Sequence, residues 1–240
     1  MIGIILAAGI SSRLRPLTND TPKCLLPVGG AALLARTLRS LSQSGLQECV
    51  IVTGYYHEKV EQFATALKLP LSIHFRFNSR FASTGNNYSL WLAGELCAGK
   101  DILLLDADIL FDRRLIPLLV NAPHENGLIM RSSKSLGQEE IKLELDPAGR
   151  ILRIGKEISP ARAAGESVGI ERFGPSTATR LFEILDRRKV QNEFYEASFQ
   201  EMIDGGSAVY AVDSGTYGCM EIDTPEDYSA AQALAPTVLS

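Results

Sequence analysis

An apolar hexapeptide that ends in small residues and runs directly into a glycine restricts this chain more than any other stretch. Ile2-Gly-Ile-Ile-Leu-Ala7 is followed by Ala8-Gly9-Ile10-Ser11-Ser12-Arg13. A continuous apolar run of this length suits a strand buried on both faces of a sheet. Small residues and glycine at its end let backbone N–H groups approach an anion, and Ser11, Ser12 and Arg13 add two hydroxyls and a forked cation. The segment therefore reads as a phosphate loop for a nucleoside triphosphate, with Leu6, Ala7, Ala8, Gly9, Ser11, Ser12 and Arg13 as nucleotide-binding candidates. It spells neither G-x-x-x-x-G-K-[ST] nor G-x-G-x-x-G, so P-loop hydrolysis and hydride transfer both lose their motif.

The rest of the first half alternates short apolar runs with longer mixed segments, the pattern of strands and crossover helices in a largely parallel sheet. Strands are expected at Glu48–Thr53, Leu71–Phe77 and Asp101–Asp106, and helices at Ala31–Ser44, Glu58–Leu69 and about Asn86–Cys97, with a polar loop at Asn78–Thr84. In the second half, Ile141–Asp146 and Arg150–Lys156 flank Asp146-Pro-Ala-Gly149 as a hairpin. Further strands are expected at Ser167–Phe173 and Ser207–Val212, and helices at Ser176–Arg188 and Phe194–Asp204. Near the end, Thr224 stands at an N-cap, Pro225 at the first helical position and Asp227 in the first turn. With 45% hydrophobic and 22% charged residues over 240 positions, one large core is affordable. The expected fold is α/β: a Rossmann-like, mixed but mostly parallel sheet flanked by helices, with a small β-rich acceptor lobe. Residues 1–240 form a single domain in this reading: 1–125 bind nucleotide, 126–220 bind the acceptor, and 221–240 supply an acidic strand and the last helix.

Asp101-Ile-Leu-Leu-Leu-Asp106 delivers Asp106-Ala107-Asp108 to the carboxyl end of a buried strand, where ligands of open α/β sheets sit. Mg²⁺ takes one or two carboxylates together with phosphate oxygens and water. Glu221-Ile-Asp223 supplies further carboxylates, because alternate residues of a strand share a face. Asp108, Glu221 and Asp223 are the metal candidates and Asp106 a nucleotide-binding one.

The opening segment continues as Leu14-Arg15-Pro16-Leu17-Thr18 and then Pro22-Lys23-Cys24-Leu25-Leu26-Pro27-Val28. On this two-part signature the chain resembles the nucleotidyltransferases that join a nucleoside triphosphate to a sugar phosphate or a small alcohol phosphate and release pyrophosphate. The resemblance implies a sheet of the nucleotide-diphospho-sugar transferase type, a triphosphate held by Gly9 and Arg13, and Lys23 against the transferred phosphoryl group. Lys23 and Arg13 are accordingly the catalytic candidates. It also implies that Asp108 and Asp223 hold Mg²⁺, with Glu221 a feature of the alcohol-phosphate branch. Asn78-Ser-Arg-Phe-Ala-Ser-Thr84-Gly85-Asn86-Asn87-Tyr88-Ser89-Leu90-Trp91 is similar to a stretch of bacterial phosphocholine cytidylyltransferases. The 2-aminoethylphosphonate cytidylyltransferases share its first half and the run Gly165–Ile170. These likenesses make CTP the expected donor and add Asn78, Ala82, Ser83, Thr84, Asn86 and Ser89 to the nucleotide-binding set.

A trimethylammonium group is held by aromatic faces and carboxylates. Tyr195-Glu196, which resembles the family's Y-[DE] acceptor motif, together with Phe173, Tyr217 and Lys134 are the acceptor-binding candidates, while Trp91 reads as core. Where the phosphocholine enzymes carry an extra tryptophan, this chain has Met130-Arg131-Ser132-Ser133-Lys134, which leaves a primary amine or a more anionic acceptor open beside choline. A sugar 1-phosphate or inositol phosphate acceptor with CTP, UTP or dTTP is the competing reading. A glycosyltransferase using Asp106-x-Asp108, and a catalytically silent nucleotide-binding subunit, are more remote. With a net charge of −4, the chain offers no field that gathers nucleic acid. Its apolar start is broken by glycines and has no basic residue before it, so neither a signal peptide nor membrane insertion is expected. Four cysteines without a C-x-x-C pair suit buried thiols in the cytoplasm. Association of two copies stays open, and His57, His74 and His124 receive no chemistry.

Overall fold

The computed structural model describes residues 1–133, 136–190 and 192–238. In chain order its strands and helices are β1 (Ile2–Ala7), β2 (Pro27–Val28), β3 (Ala31–Ala32), α1 (Leu33–Gln43), β4 (Glu48–Thr53), α2 (His57–Ala66), β5 (Ser72–Phe77), α3 (Asn86–Leu92) and α4 (Gly94–Cys97). The chain continues through β6 (Ile102–Asp106), β7 (Ile109–Phe111), α5 (Leu115–Val120), β8 (Gly127–Arg131), β9 (Lys142–Leu145), β10 (Ile151–Gly155) and β11 (Gly165–Phe173). It closes with α6 (Pro175–Arg188), α7 (Glu196–Asp204), β12 (Tyr210–Asp213), β13 (Cys219–Glu221) and α8 (Pro225–Val238).

Among the described residues, nine strands form one mixed sheet in the order β10-β9-β11-β6-β1-β4-β5, with β8 paired to β11 and β12 to β8. The strands β6, β1, β4 and β5 run parallel, and β11 is antiparallel to β6. The chain moves from β1 outward to β4 and β5, then returns to lay β6 on the other side of β1. The carboxyl ends of β1 and β6 therefore flank the point at which strand order reverses, the place where such sheets open a crevice. Alternation along the strands divides the core. Ile2, Ile4, Ile102 and Leu104 pack under α3, α6 and α7, whereas Ile5, Leu103 and Leu105 pack with α1, α2 and α5. Burial on both faces is the reason the central strands read as unbroken apolar runs. The fold is the expected one, α/β with a mostly parallel sheet flanked by helices.

Several boundaries differ from those read in the sequence, for local reasons. Ala31 and Ala32 pair with Val28 and Pro27 as a short ribbon before α1 begins. The single helix expected over Asn86–Cys97 is broken at Ala93. Next to the break, a side chain on Gly94 would come within 2.9 Å of the Phe182 ring. The hairpin forms as expected, with Asp146 Oδ1 accepting from Ala148 N at 2.8 Å and Arg150 N at 2.9 Å. The strands β7 and β8 and the helix α5 were not anticipated. β8 is contributed by Gly127–Arg131, a run of only five residues that follows Asn126. At α8, Thr224 Oγ1 accepts from Asp227 N at 3.2 Å and donates to Asp227 Oδ2 at 2.9 Å, a reciprocal cap. Among the described residues, no helix is long and apolar enough to cross a membrane.

A third, smaller core lies at the crevice. Leu14 from the loop after β1, Leu26, Val28 and Leu33 meet Leu110 and Ile222 from the β7–β13 ribbon and Ala231 and Ala235 from α8. It locks the loop to the ribbon. We expect Leu14→Ala to lower stability by about 2–5 kcal/mol through the cavity it opens in this cluster. A urea denaturation midpoint that stays within error of the parent would mean the loop is not anchored through Leu14.

Candidate functional site

Three backbone devices bring the charged groups together. The loop after β1 turns at Ser11, whose φ of 53° is left-handed, and Thr18 Oγ1 donates to Ser11 O at 2.9 Å. The loop then presents Arg13, and a single turn over Lys23–Leu25 places Lys23 below it. The third device is the antiparallel ribbon of β7 and β13, in which Glu221 pairs with Ile109 and Ile222 N donates to Asp108 O at 3.1 Å. That register sets Asp108 beside Glu221 and Asp223 although more than one hundred residues separate them in sequence.

Lys23 joins the two halves. Its Nζ lies 2.6 Å from Asp108 Oδ2 and 2.7 Å from Asp223 Oδ1, and Arg13 reaches Asp223 Oδ2 at 2.7 Å. Burial alone would lower the Lys23 pKa, but the two carboxylates outweigh it and raise it above the ordinary lysine value, so the ammonium stays charged. Burial likewise works against ionised Asp223, yet Lys23 and Arg13 hold its carboxyl below the usual range. At Glu221, removal from water and the charges of Asp108 and Asp223 push the carboxyl up to about 8. One oxygen from each of Asp108, Glu221 and Asp223 lies within 4.8 Å of the others. Asp108 Oδ1 is buried without a hydrogen-bond partner. Three hard oxygen donors, one of them unsatisfied, fit a divalent cation.

A cavity of about 440 Å³ opens over these acids, with Arg13, Asn86, Asp106, Asp108, Glu196, Glu221 and Asp223 in its wall. Asp106 accepts from Tyr195 Oη at 2.8 Å, and Asn86 Oδ1 accepts from Tyr195 N at 2.8 Å. Burial, then the charges of Asp108, Glu171 and Glu196, raise the Asp106 pKa well above the carboxylate norm. Gly169 is required here: its φ is +72°, and a Cβ on it would lie 2.8 Å from Asp106 Oδ2. Other groups of the wall were not singled out from the sequence. Arg131 bonds Glu166 Oε1 through Nε at 2.8 Å and Cys219 O at 3.2 Å, and Lys156 pairs with Glu139 at 3.1 Å. Arg131 and Glu166 lie within segments compared with the cytidylyltransferases, but no local pattern gives Arg131, Glu166 or Lys156 a place in the site, because they arrive from β8, β11 and the residue after β10.

The remaining candidates divide. Leu6, Ala7, Ala8, Gly9, Ser11 and Ser12 occupy the end of β1 and the turn that follows it. The loop Asn78–Thr84 packs against Ala8, since Gly54 sits tightly between Ala8 O and Phe81. Within it, Asn78 is buried and gives Nδ2 to Thr84 Oγ1 at 3.2 Å and to buried Ser89 Oγ at 3.0 Å. These three side chains hold the loop's shape, while Ala82 and Ser83 are exposed on it and outside the cavity. Two acceptor candidates are misplaced. Phe173 is fully buried against Phe199 and pairs with Ile102, at the opposite end of β6 from Asp106. Tyr217 lies under Arg114, whose Cζ is 4.5 Å from the ring, and does not reach the cavity. Tyr195 is buried beside Phe199, does not line the cavity, and meets its wall only through the hydroxyl that donates to Asp106. Lys134 lies outside the described residues. Trp91 stays away from the cavity, with Nε1 on Asp186 Oδ1 at 2.9 Å.

Known proteins resemble this chain in sequence and in fold. The family described as MobA-like NTP transferase domain matches residues 3–141. CMP-5'-(3-aminopropyl)phosphonate synthase of Streptomyces rubellomurinus is 28% identical over 93% of this chain, which spans only 37% of that protein. Choline-phosphate cytidylyltransferase of Streptococcus pneumoniae is 26% identical, with 95% of each chain covered. In fold, the inositol-1-phosphate CTP transferase from T. maritima superposes with a TM-score of 0.83 at 22% identity, covering 99% of this chain and 95% of that one.

Glu196 provides a test of the electrostatics. It is buried, and burial pushes its carboxyl up to about 7. The folded chain thus binds this proton more tightly than the unfolded chain, so its contribution to stability falls as pH rises from the unfolded value toward 7 and levels off above it. We expect Glu196→Gln to exceed the parent in stability by roughly 3 kcal/mol at about pH 8 and to match it near pH 4. Urea midpoints that differ equally at both pH values would contradict this.

Proposed function

We propose, from the premise that the chain belongs to the MobA-like NTP transferase family and is a nucleotidyltransferase, that it transfers CMP from CTP to a small phosphorylated amino alcohol or amino phosphonate. The observation that carries this reading is the Lys23 bridge, which fixes the loop after β1 against the Asp108, Glu221 and Asp223 cluster. A triphosphate site and an acid site are thereby held face to face. The relatives that are named cytidylyltransferases support CTP as donor. In this reading residues 1–125 bind the nucleotide, with the Asn78–Thr84 loop on the side of the base, residues 126–220 bind the acceptor, and 221–240 supply the acidic strand and the last helix.

An acceptor oxygen attacks the α-phosphorus of CTP, the bond from that phosphorus to the bridging β-phosphate oxygen breaks, and pyrophosphate leaves with the electron pair. Nothing is oxidised or reduced. The attacking phosphate or phosphonate oxygen is already anionic at neutral pH, so no general base is needed. The chain's task is to bring two anions together and offset charge in the transition state. Arg13 orients the triphosphate through its fork of donors. Lys23, kept protonated by its two carboxylates, places a compact positive charge at the α-phosphoryl group. Asp108, Glu221 and Asp223 would hold Mg²⁺, which supplies Lewis-acid stabilisation of the phosphoryl oxygens.

Pyrophosphate release measured with Mg²⁺, each of the four ribonucleoside triphosphates, and a panel of acceptors tests the proposal. The panel is phosphocholine, phosphoethanolamine, 2-aminoethylphosphonate, inositol 1-phosphate and glucose 1-phosphate. We expect release with CTP and an amino-bearing acceptor. Release confined to UTP or dTTP with a sugar phosphate would overturn it. Lys23→Ala and Asp108→Ala are each expected to stay folded and to lose on the order of 100-fold or more in kcat. Circular dichroism and turnover on the same samples check both parts.

A further inference from the structure

Arg13 and Lys23 are carried on one loop between β1 and β2, and both ends of that loop are anchored. Leu14 is fully buried in the third core, Thr18 Oγ1 donates to Ser11 O at 2.9 Å, and Lys23 Nζ reaches Asp108 and Asp223. The middle of the loop is held differently. Among the described residues, no backbone N–H donates to the carbonyls of Thr18, Asn19 or Asp20. All three are taken by side chains from the turn between β4 and α2 and from the start of that helix. The Tyr55 hydroxyl lies 3.1 Å from Thr18 O and 2.9 Å from Asn19 O, so its single proton is shared between them. Tyr56 Oη donates to Asn19 O at 3.0 Å, and Lys59 Nζ donates to Asp20 O.

This clamp stands on a backbone conformation that a bulky residue rarely takes. Tyr56 has a φ of 50°, in the left-handed region. Such strain persists where the surroundings over-determine it, and it clusters at functional sites. The Tyr55 and Tyr56 rings lie 4.4 Å apart, and Lys59 Nζ is 4.4 Å from the centre of the Tyr56 ring. Tyr55 is fixed in turn from two sides. Its N donates to Ala8 O at 3.1 Å, and the Phe81 ring of the Asn78–Thr84 loop lies 6.3 Å from its own. Tyr55 thus joins the end of β1, the loop that presents Lys23 and the loop assigned to the base.

Neither tyrosine lines the cavity over the acids. Any effect of their hydroxyls on the reaction passes through the loop backbone. Only Thr21 and Pro22 separate the clamped carbonyl of Asp20 from Lys23, so a shift of the carbonyls carries to the ammonium. Misplacing a reacting or charge-stabilising group by about 1 Å costs on the order of 100-fold in rate. We propose, resting on the nucleotidyltransfer reading above, that Tyr55 and Tyr56 are positioning residues. Their phenols clamp the Thr18–Asp20 carbonyls and so set Lys23 and Arg13 against the triphosphate. The clamp serves the nucleotide and leaves acceptor binding untouched.

Tyr55→Phe, Tyr56→Phe and the double variant keep the rings and lose only the hydroxyls. Each is to be compared with the parent as the full chain, with CTP, Mg²⁺ and the best acceptor of the panel above. Amide hydrogen exchange without ligands follows the segment 17–23. In the double variant we expect kcat to fall about 10-fold and KM for CTP to rise about 3-fold, with KM for the acceptor within about 2-fold of the parent. Amides of 17–23 should exchange at least about 10-fold faster while those of β4 are unchanged, and the urea midpoint should stay within error. Should the double variant fail to fold, Tyr55→Phe decides, with the same signs and smaller factors. Unchanged kcat, exchange at 17–23 no faster than in the parent, or a lowered urea midpoint with unchanged turnover per folded molecule overturns the proposal. Each of these leaves nucleotidyl transfer by the parent intact. No pyrophosphate release by the parent with any triphosphate and acceptor removes that reading and the proposal together.

Discussion

A single buried ammonium holds this molecule's working parts in register. Lys23 stands in the turn over Lys23–Leu25 after the first strand, and its two partners, Asp108 and Asp223, flank the two strands of a ribbon formed much later in the chain. Coulomb attraction is strong at such distances where water is displaced, but it must first offset the desolvation of three charged groups. The contact persists because apolar packing supports it from below. Leu14, Leu110 and Ile222 share one cluster, so the loop and the ribbon are joined whether or not the charges contribute net stability. Arg13 then adds a second cation to Asp223 from the solvent side.

Around this bridge the chain gathers more negative charge than it neutralises. Asp106, Glu171 and Glu196 are held protonated more readily than in water, and Glu221 shifts in the same direction beside Asp108 and Asp223. A chain selected for stability alone would replace such groups with apolar side chains of similar volume. Asp106, Glu196 and Glu221 line one cavity at the switch point of the sheet, with Glu171 buried outside its wall, so the strain lies where ligands would relieve it. The tight fit of Gly169 over Asp106 belongs to the same arrangement, because only a residue without a side chain leaves room for that carboxyl.

Much of the scaffold was legible from periodicity. Runs such as Ile2–Ala7 and Asp101–Asp106 are apolar on both faces because helices cover both faces, and such runs have few alternatives. The hairpin at Asp146–Gly149 and the cap at Thr224–Asp227 were legible because side chains close to each other in sequence make the bonds that define them. Short elements were not. The strand Ile109–Phe111 has three residues and no flanking turn signal, and it exists as a strand only because Cys219–Glu221 pairs with it. Phe173 and Tyr217 show the matching limit for side chains. Both are aromatic and close in sequence to plausible site residues, but strand direction carries one to the far end of β6, and Arg114 covers the other.

The sequence by itself determined the fold class, the loop that follows the first strand, and the identity of the acids at the ends of β6 and β13. Each of these depends on residue type and spacing within a short segment, where local chemistry is decisive. Only the tertiary structure decided that Lys23 lies between Asp108 and Asp223, that Arg131 and Lys156 enter the cavity wall, and that Glu196 and Glu171 are left with open oxygens. These facts depend on register between strands remote in sequence and on which helix covers which face. A chain read one segment at a time carries no trace of them.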